Sequence, residues 1–389
     1  MRRRPVLLVL ALIVALVVSV PLLLSLGDGG DEPGPSSEGP EAREPQPPPG
    51  DAVASYYVSP SGDDGNDGRS SDRPLQTIQT ALELAQPGST VVLAPGRYLQ
   101  DLRSVRDGTA AMPITITGPK EAVLHGGGAS EIVGISHDHH VLQGFTADGH
   151  FASGSKASSY RKKLLYAQGT EPRDGVSGLR VLDMTLTNAL DECVRLRYFA
   201  RDNEIAGNTI TNCGIEDFRL DGDEKNGEGI YIGTAPEQLR DERNPTRDAD
   251  ESNGNHIHDN TIDTDGNECV GIKEGSSDNL IEDNDCTGQR DSDSAGLDTR
   301  GNGNIFRRNT VYGNSGAGIR LGGDESGDGI DNDVYENVIR DNEAGGIKFQ
   351  ARPQGRVCGN TMSDNDGGNA VGDYREQFDP TARCPSGGP

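Results

Sequence analysis

GNHIHDNTI (residues 254–262), SDNLIEDND (277–285) and GNIFRRNTV (303–311) are three copies of one pattern. Each copy has a turn, an apolar residue, two or three further residues and an asparagine. The repeated asparagines are Asn208, Asn260, Asn284, Asn309, Asn337 and Asn360, with successive gaps of 52, 24, 25, 28 and 23 residues. A repeat of this length, built from short β-rich segments and Asn/Gly turns, predicts the stacked coils of a parallel β-helix.

The repeated asparagine has a physical role in this prediction. Asn tolerates the left-handed turn conformation, and its amide can stack on its copies in the neighbouring coils as a ladder. The one double gap contains a polar insertion, residues 234–253. We interpret this insertion as a mobile, solvated loop beside the outer face of the coils.

The segment before the repeats predicts a cap for the open end of the coil. PLQTIQTALELAQPG (residues 74–88) reads as a short amphipathic helix with Leu75, Ile78, Leu82 and Ala85 on one face. A β-helix exposes unpaired backbone groups at its first coil, and a helix lying over them removes this edge. We therefore expect an all-β solenoid with a short N-terminal capping helix.

Composition supports a solenoid rather than a globule with one thick core. Only 32% of the 389 residues are hydrophobic, Trp is absent, and there are 53 Gly residues. A solenoid needs fewer apolar residues because its core is a thin column. The net charge of −26 argues against nucleic acid as a partner. We expect a monomer.

The N-terminus predicts export. Three arginines precede an uncharged apolar run at residues 5–26, which is long enough to cross a bilayer. Because positive charge stays in the cytoplasm, the rest of the chain would lie outside. We expect a signal anchor at residues 1–26, or a secreted protein if it is cleaved, then a disordered tether at 27–51 and the β-helix domain at 52–389. Six cysteines fit an exported protein, but fifteen disulfide connectivities remain open.

A second segment repeats between the asparagines: ECVRLR, EGIYIG, VGIKEG, AGLDTR, AGIRLG and GGIKFQ. Strand side chains alternate between the two faces, so one apolar column points inward. It consists of Val194, Ile230, Ile272, Leu297, Ile319 and Ile347. The next column then faces outward and consists of Arg195, Tyr231, Lys273, Asp298, Arg320 and Lys348. A second outward column, two residues further on, consists of Arg197, Gly233, Gly275, Arg300, Gly322 and Gln350.

These outward columns form a local basic patch on an acidic chain. Like charges stacked on adjacent strands repel each other, so a bound anion is the simplest compensation. Coils lie about 4.8 Å apart, which approaches the sugar repeat of an extended polysaccharide. The columns therefore predict that an anionic polysaccharide binds along this face, although a solvated charged surface is the ordinary alternative.

The stretch from residue 268 to residue 301 resembles the core of polysaccharide lyase family 6, which contains alginate lyases and chondroitinase B. The family pattern is a Glu five residues before a Lys, then two Asn, a Cys-x-Gly and an Arg-Gly on the next coil. Here these residues are Glu268, Lys273, Asn279, Asn284, Cys286, Gly288, Arg300 and Gly301. The chain opening also resembles that of right-handed parallel β-helix proteins with the pectin-lyase-like fold.

The resemblance implies calcium-assisted β-elimination on a uronic-acid-containing polysaccharide such as alginate. Lys273 would be the base that removes the C5 proton, and Arg300 would act near the leaving glycosidic oxygen. Calcium would bind Glu268 and Asn226, with Glu274 as an extra ligand. A lysine acts as a base only when its pKa falls towards the working pH, and we expect neighbouring cations such as Arg300 to lower it.

Two other classes of function stay open at this point. A non-catalytic β-helix could bind surface glycans or serve as a structural module. Another enzyme on the same fold could be a pectate lyase, a C5-epimerase or a glycoside hydrolase. A hydrolase needs two outward carboxylates, and Asp298 is the only one in the main outward column, which argues against hydrolysis.

Overall fold

The computed structural model describes residues 54–220, 222 and 225–385. The predicted anchor (1–26) and tether (27–51) lie outside these residues. Within the described part of the chain, no helix is long and apolar enough to cross a membrane. The described residues form a parallel β-helix: every strand pairs in parallel with the equivalent strand of the next coil, in sheets of 11, 10 and 10 strands.

Each full coil contributes one strand to each sheet. Sheet I consists of β1 (Ser55–Val58), β2 (Thr90–Leu93), β5 (Ile114–Thr117), β8 (His140–Gln143), β11 (Arg180–Leu182), β14 (Glu204–Ala206), β17 (His256–His258), β20 (Leu280–Glu282), β23 (Ile305–Arg307), β26 (Asp333–Tyr335) and β29 (Val357–Cys358). Sheet II consists of β3 (Gly96–Tyr98), β6 (Ala122–Leu124), β9 (Thr146–Asp148), β12 (Thr185–Thr187), β15 (Thr209–Thr211), β18 (Thr261–Asp263), β21 (Asp285–Thr287), β24 (Thr310–Tyr312), β27 (Val338–Arg340) and β30 (Thr361–Ser363). Sheet III consists of β4 (Leu102–Arg103), β7 (Glu131–Ile135), β10 (Lys163–Gln168), β13 (Val194–Arg197), β16 (Ile230–Ile232), β19 (Val270–Ile272), β22 (Ala295–Thr299), β25 (Ala317–Leu321), β28 (Ile347–Phe349) and β31 (Ala370–Val371).

The helices are short and lie outside the sheets. They are α1 (Ile78–Leu84), α2 (Ile215–Arg219) and three 3₁₀ turns at Ala157–Ser159, Pro236–Arg240 and Arg375–Gln377. Helix α1 packs on the first coil as predicted, with its apolar face fully buried. The carboxylate of Asp64 accepts hydrogen bonds from the backbone N–H of Gln76 (2.9 Å) and Thr77 (2.8 Å) just before this helix. The capping helix is therefore confirmed.

The predicted asparagine ladder is present between sheets I and II. From Asn208 to Asn360, each side-chain amide donates to the side-chain oxygen of the next asparagine over 2.9–3.1 Å. The left-handed position was assigned wrongly, because it belongs to the residue before the asparagine. That residue is Asp259 (φ 53°), Asp283 (φ 55°) or Arg308 (φ 55°) in three successive coils. The side chain of the asparagine makes hydrogen bonds to buried backbone groups of the neighbouring coils, which would otherwise lack a partner at this turn.

Three disulfides choose among the fifteen connectivities: Cys193–Cys213, Cys269–Cys286 and Cys358–Cys384. The first two each link the start of a sheet III strand to sheet II, or to the turn after it, in the next coil. The third ties the last coil to the chain end beyond it. All six cysteines are paired, which is typical of proteins folded outside the reducing cytosol.

Candidate functional site

The outer face of sheet III carries a row of three buried glutamates that the sequence columns missed. Val194, Ile230 and Val270 pair with one another across adjacent strands of sheet III. A glutamate lies two residues before each of them: Glu192, Glu228 and Glu268. Their exposed fractions are 2%, 3% and 2%. We call them the glutamate row. Carboxylates buried this deeply require cations or hydrogen-bond donors beside them.

The register of β19 differs from the predicted one by two residues. Val270, and not Ile272, pairs with Ile230 and Leu297. Gly271 therefore occupies the predicted place of Lys273, between Tyr231 and Asp298. Lys273 falls in the second outward column, where the backbone N–H of Arg300 on the next coil bonds to the carbonyl of Ile272 (2.9 Å). The structure thus places Lys273 and Arg300 on adjacent rungs of one column.

Lys273 reaches back from this position to the glutamate row. Its Nζ lies 3.6 Å from Glu228 Oε1 and 4.4 Å from the ring centroid of Tyr231. Arg195 covers the ring of Tyr231 with its guanidinium carbon 3.6 Å from the centroid. Arg195 Nη1 in turn donates to Glu192 Oε1 (2.6 Å). Tyr231 is therefore flanked by two cations, each of which is held by a member of the glutamate row.

The predicted lowering of the lysine pKa is wrong for this arrangement. Burial alone lowers the pKa of Lys273, but Tyr231, Glu228 and Glu268 more than offset it and raise the pKa above its ordinary value. Arg300, the cation expected to depress it, pairs with Glu274 instead, at 3.5 Å. In the resting protein, Lys273 is an ammonium ion.

The members of the glutamate row differ in acidity. Burial raises the pKa of Glu228 to about 7, with Glu268 and Glu192 adding to the effect and Lys273 opposing it. Burial also raises the pKa of Glu192, but Lys163 and Arg195 more than offset it and lower the pKa to about 2. Glu228 is thus the carboxyl whose proton is exchanged near neutral pH, which suits a general acid or base.

The raised pKa of Glu228 predicts a pH dependence of stability. A carboxyl with a folded pKa near 7 and an ordinary value of 4.5 binds more protons in the folded state between these limits. The stability that this protonated carboxyl adds to the folded state is fully present below about pH 4.5 and is lost as the pH rises to 7. We expect the free energy of unfolding, measured in urea, to fall relative to that of Glu228→Gln by up to about 1.4 kcal/mol per pH unit across this window. Glu121→Gln, at an exposed position, is the control, and an equal slope for both variants would contradict the assignment.

Arg300 is only partly satisfied by protein groups. Its Nη1 lies 3.1 Å from the exposed Asp324 and 3.5 Å from Glu274. Its buried Nε lies 4.0 Å from Asp298 Oδ2 and has no hydrogen-bond partner among the described residues. The side chain is 20% exposed. A donor of this kind, one rung from Lys273, can bind an anionic group of a ligand.

The three predicted calcium ligands do not come together. Glu268 stands before β19 and accepts from the hydroxyl of Ser294, whereas Glu274 stands beyond the other end of β19 and pairs with Arg300. Asn226 lies at the wall of a separate cleft. Within the described residues, no group of three or more His, Cys, Asp or Glu is arranged to hold a metal ion.

One smaller feature is compatible with a cation. Glu268 Oε2 is buried without a hydrogen-bond partner among the described residues. It faces the space above Gly271, where a Cβ would lie 3.9 Å from this oxygen and 3.6 Å from Glu228 Cγ. Two carboxylates therefore border one small cradle, which is fewer than the six to eight oxygens that calcium takes.

Three predicted polysaccharide-binding residues are engaged within the protein. Asp298 is fully buried and accepts two hydrogen bonds from Arg320, at 2.6 and 2.7 Å. Arg320 Nη1 and Lys348 Nζ both donate to the carbonyl of Asp293, at 3.2 and 3.0 Å. Asp293 belongs to a loop between β21 and β22 that lies over these rungs. Arg320 and Lys348 therefore bind groups of the protein at the positions where the sequence predicted a bound polysaccharide.

The polar insertion is packed against sheet III, which corrects its interpretation as a solvated loop. Gln238 Oε1 accepts from Arg195 Nη2 (2.8 Å) and from the hydroxyl of Tyr231 (3.3 Å). Arg197, which is 1% exposed, donates to Asp241 (2.9 and 3.0 Å) and to Asn244 (2.5 Å). Arg195 and Arg197, two of the three predicted substrate-binding arginines, thus anchor the insertion.

A cleft of about 630 Å³ remains between the insertion and the upstream rungs β7, β10 and β13. We call it the upstream cleft. Arg195, Arg197 and Asn226 line it, whereas Lys273 and Arg300 do not. Lys273 is 7% exposed and lies behind Tyr231. The structure therefore separates the predicted residues into a buried ionic centre and an open cleft next to it.

Comparison with known proteins supports the same fold. The family described as "Right handed beta helix region" matches residues 247–379. An alginate lyase from Paenibacillus sp. str. FPU-7 has 21% identity and a TM-score of 0.59, covering 76% of this chain and 95% of that chain. Pectate lyase Pel9A has 15% identity and a TM-score of 0.51, covering 86% and 82%. The chain has a polysaccharide-lyase-like, right-handed parallel β-helix fold.

The predicted fold class and the resemblance to polysaccharide lyases are thus confirmed at the level of the fold. A curated relative, "Uncharacterized protein YwoF" from Bacillus subtilis (strain 168), is 41% identical over 59 residues. That match covers 15% of this chain and 12% of the relative.

Proposed function

We propose that this protein is a polysaccharide lyase that cleaves a uronic-acid-containing, alginate-like polysaccharide by β-elimination. The observation that carries the proposal is the Glu228–Lys273 pair, with Arg300 on the adjacent rung of the same outward face. The fold is shared with an alginate lyase and a pectate lyase. Alginate and pectate are both acidic polysaccharides, and the basic residues of sheet III predict a ligand of this class.

Arg300 would bind the carboxylate of the uronic acid at the cleavage point. The C5 proton is weakly acidic because its removal places a second negative charge beside this carboxylate. A cation held in a water-poor site stabilises that charge as it develops. Arg300 Nη1 is the end of the side chain available for this role, because its partner Asp324 is exposed and a sugar carboxylate can replace it.

Glu228 and Lys273 would exchange one proton and so provide both the acid and the base. In the resting pair Glu228 is the base and the Lys273 ammonium is the acid, which exchanges the role that the resemblance implied for Lys273. The Glu228 carboxylate accepts the C5 proton, the C4–O bond breaks as the C4=C5 double bond forms, and the Lys273 ammonium donates a proton to the leaving oxygen. Proton transfer over 3.6 Å from the Glu228 carboxyl to the Lys273 amine then restores the ion pair.

Access to this centre requires movement. Lys273 is 7% exposed and lies against Tyr231, whose hydroxyl bonds to Gln238 of the insertion. Gln238 would be the first side chain displaced when a sugar enters. A site that closes over its substrate excludes water and strengthens the electrostatic interactions within it.

Calcium and localisation remain part of the proposal. Glu268, whose buried Oε2 has no hydrogen-bond partner among the described residues, would help to hold the ion, which when bound would neutralise the uronate carboxylate. The protein would act outside the cell, attached through residues 1–26 or released by cleavage. The three disulfides support this environment.

The test is an assay of the full chain, held in mild detergent because of its apolar N-terminal run. We would incubate it with a panel of polyuronates, with calcium and then with a chelator, and follow the near-ultraviolet absorbance of the unsaturated product. We expect absorbance to rise on one polyuronate, and loss of this rise with the chelator would support calcium. No unsaturated product on any polyuronate, with circular dichroism unchanged, would overturn the lyase in favour of a glycan-binding module.

Glycoside hydrolysis is a second candidate because of the glutamate row. The sequence offered Asp298 as the only carboxylate in the main outward column, but Glu228 and Glu268 lie on adjacent rungs, whose backbones are about 4.8 Å apart. A retaining glycosidase places two carboxyl groups about 5–5.5 Å apart, one of them with a raised pKa. New reducing ends without ultraviolet absorbance in the same assay would favour hydrolysis.

A further inference from the structure

The upstream cleft has a half-buried aromatic side chain in its floor. Tyr166 of β10 lies in the same outward column as Arg195 and Tyr231. Its hydroxyl donates to Gln168 Oε1 (2.6 Å), which fixes the side chain on the floor. An aromatic ring with a satisfied polar tip gives a flat, apolar platform in a polar cleft. A sugar ring can lie on such a platform.

The buried cations of the cleft are neutralised by the protein. Lys163 donates to Glu192 and to Asp191 (2.9 Å), and Arg195 donates to Glu192 (2.6 Å). Arg197 pairs with Asp241 of the insertion. These groups hold the cleft together and leave little charge for a ligand.

Two exposed cations remain on opposite walls of the cleft. Lys162, just before β10, is 58% exposed, and its Nζ lies 4.0 Å from Asp191. Arg243 of the insertion is 67% exposed, and its Nε lies 3.7 Å from Asp241. Contacts this long and this exposed contribute little free energy, so both groups can turn to a ligand. On a chain with net charge −26, their convergence on one cleft points to an anionic ligand.

We propose that the upstream cleft is a binding subsite for an acidic sugar residue remote from the bond that is cleaved. Tyr166 lies under the sugar ring, and Lys162 and Arg243 bind its carboxylate from either side. The inference rests on the proposed function, because it assumes a polyuronate chain. Through Arg243, the insertion would help to select an acidic sugar, in addition to covering part of sheet III.

The spacing of the coils decides the length of chain that the subsite can sense. Tyr166 in β10 and Lys273 after β19 are separated by three rungs, which is about 14 Å. Three sugars of an extended polyuronate span a similar distance. A tetrasaccharide can therefore occupy the cleavage centre and the upstream cleft together, whereas a disaccharide cannot.

The test measures binding apart from cleavage. In the full chain in mild detergent, the double variant Lys273→Met with Glu228→Gln prevents consumption of the sugar without leaving a buried charge unpaired, and it serves as the parent. Calorimetry follows its binding of an alginate tetrasaccharide and disaccharide. We expect Arg243→Ala to weaken tetrasaccharide binding about tenfold and to leave disaccharide binding unchanged. Arg247→Ala is the matched control, because Arg247 belongs to the same insertion and is also 67% exposed. Tyr166→Ala should weaken tetrasaccharide binding, whereas Tyr166→Phe should not.

Each result separates the subsite from the lyase. Equal tetrasaccharide affinity in Arg243→Ala and its parent would overturn the subsite, and so would the absence of any tetrasaccharide binding. If wild-type protein still forms unsaturated product in that case, the lyase stands without the subsite. If the tetrasaccharide binds as expected but no polyuronate is cleaved, the subsite stands and the lyase falls.

Discussion

Lys273→Met should lower the rate of polyuronate cleavage by about 10²–10⁴-fold, the usual contribution of a positioned acid or base. Methionine keeps the length of the side chain but cannot accept or donate the proton. The rate of formation of unsaturated product at saturating substrate is the measurement. Lys120→Met, which removes an exposed lysine in the turn between β5 of sheet I and β6 of sheet II, should not change the rate.

Loss of activity alone would not separate a catalytic lysine from a structural one. Lys273→Met leaves the buried Glu228 without its cation, and this can destabilise the fold. The double variant Lys273→Met with Glu228→Gln removes both charges, so we expect its stability in urea to return towards that of wild type. Its activity should stay low. Recovery of activity together with stability would show that Lys273 acts only as a structural partner of Glu228.

Glu228→Gln gives an independent test of the proposed proton exchange. The variant keeps a polar side chain of the same size but has no carboxyl group that can take up or release a proton near neutral pH. We expect slow cleavage, and the inflection near pH 7 in the wild-type rate profile should disappear. A purely structural role for Glu228 would leave that inflection in place.

The repeats predicted the fold because each coil satisfies the same local constraints. The Asn ladder needs one asparagine at one turn of every coil, so its period is visible in the sequence. The capping helix was visible for a similar reason, because Leu75, Ile78 and Leu82 must share one buried face. The anchor and tether predictions concern residues 1–51, outside the described part of the chain.

The register of β19 could not be read from alternation. A slip of one residue exchanges the inner and outer faces, but a slip of two keeps them. Val270 and Ile272 are both apolar, so either could be matched to Ile230. A different signal was available, since Glu-Cys-Val occurs in both coils at residues 192–194 and 268–270. Matching these triplets places Glu268 on Glu192 and gives the observed register.

The partners of the outward cations also lay beyond the sequence pattern. The alternation of a strand separates positions three apart, yet Glu192 and Arg195 meet at 2.6 Å because the chain turns before β13 begins. The insertion adds Gln238 and Asp241 from more than forty positions away. A column of cations in a sequence therefore predicts where charge is placed, but not whether a ligand or the protein neutralises it.

Asp298→Ala should destabilise the fold by about 3–5 kcal/mol, measured as the free energy of unfolding in urea. Asp298 is fully buried and accepts both hydrogen bonds of the Arg320 fork. Its loss leaves a nearly buried guanidinium for which Glu268, 3.8 Å away, is the one remaining carboxylate within 4 Å among the described residues. Arg320 more than offsets the effect of burial and lowers the pKa of Asp298, which indicates the same strong pairing.

The double variant Asp298→Leu with Arg320→Met decides between a structural and a binding role for this pair. Apolar residues of similar volume often replace a buried ion pair at no cost or with a gain, so we expect stability close to wild type. If the pair serves only the fold, the double variant should also bind the alginate tetrasaccharide as well as its parent does. Restored stability with lost binding would instead support the substrate-binding role that the sequence predicted, because a sugar carboxylate would then depend on Arg320. The observed contacts favour a role in the fold alone. All three guanidinium nitrogens of Arg320 donate hydrogen bonds to Asp298 or to the Asp293 carbonyl, so none of them is available to a ligand.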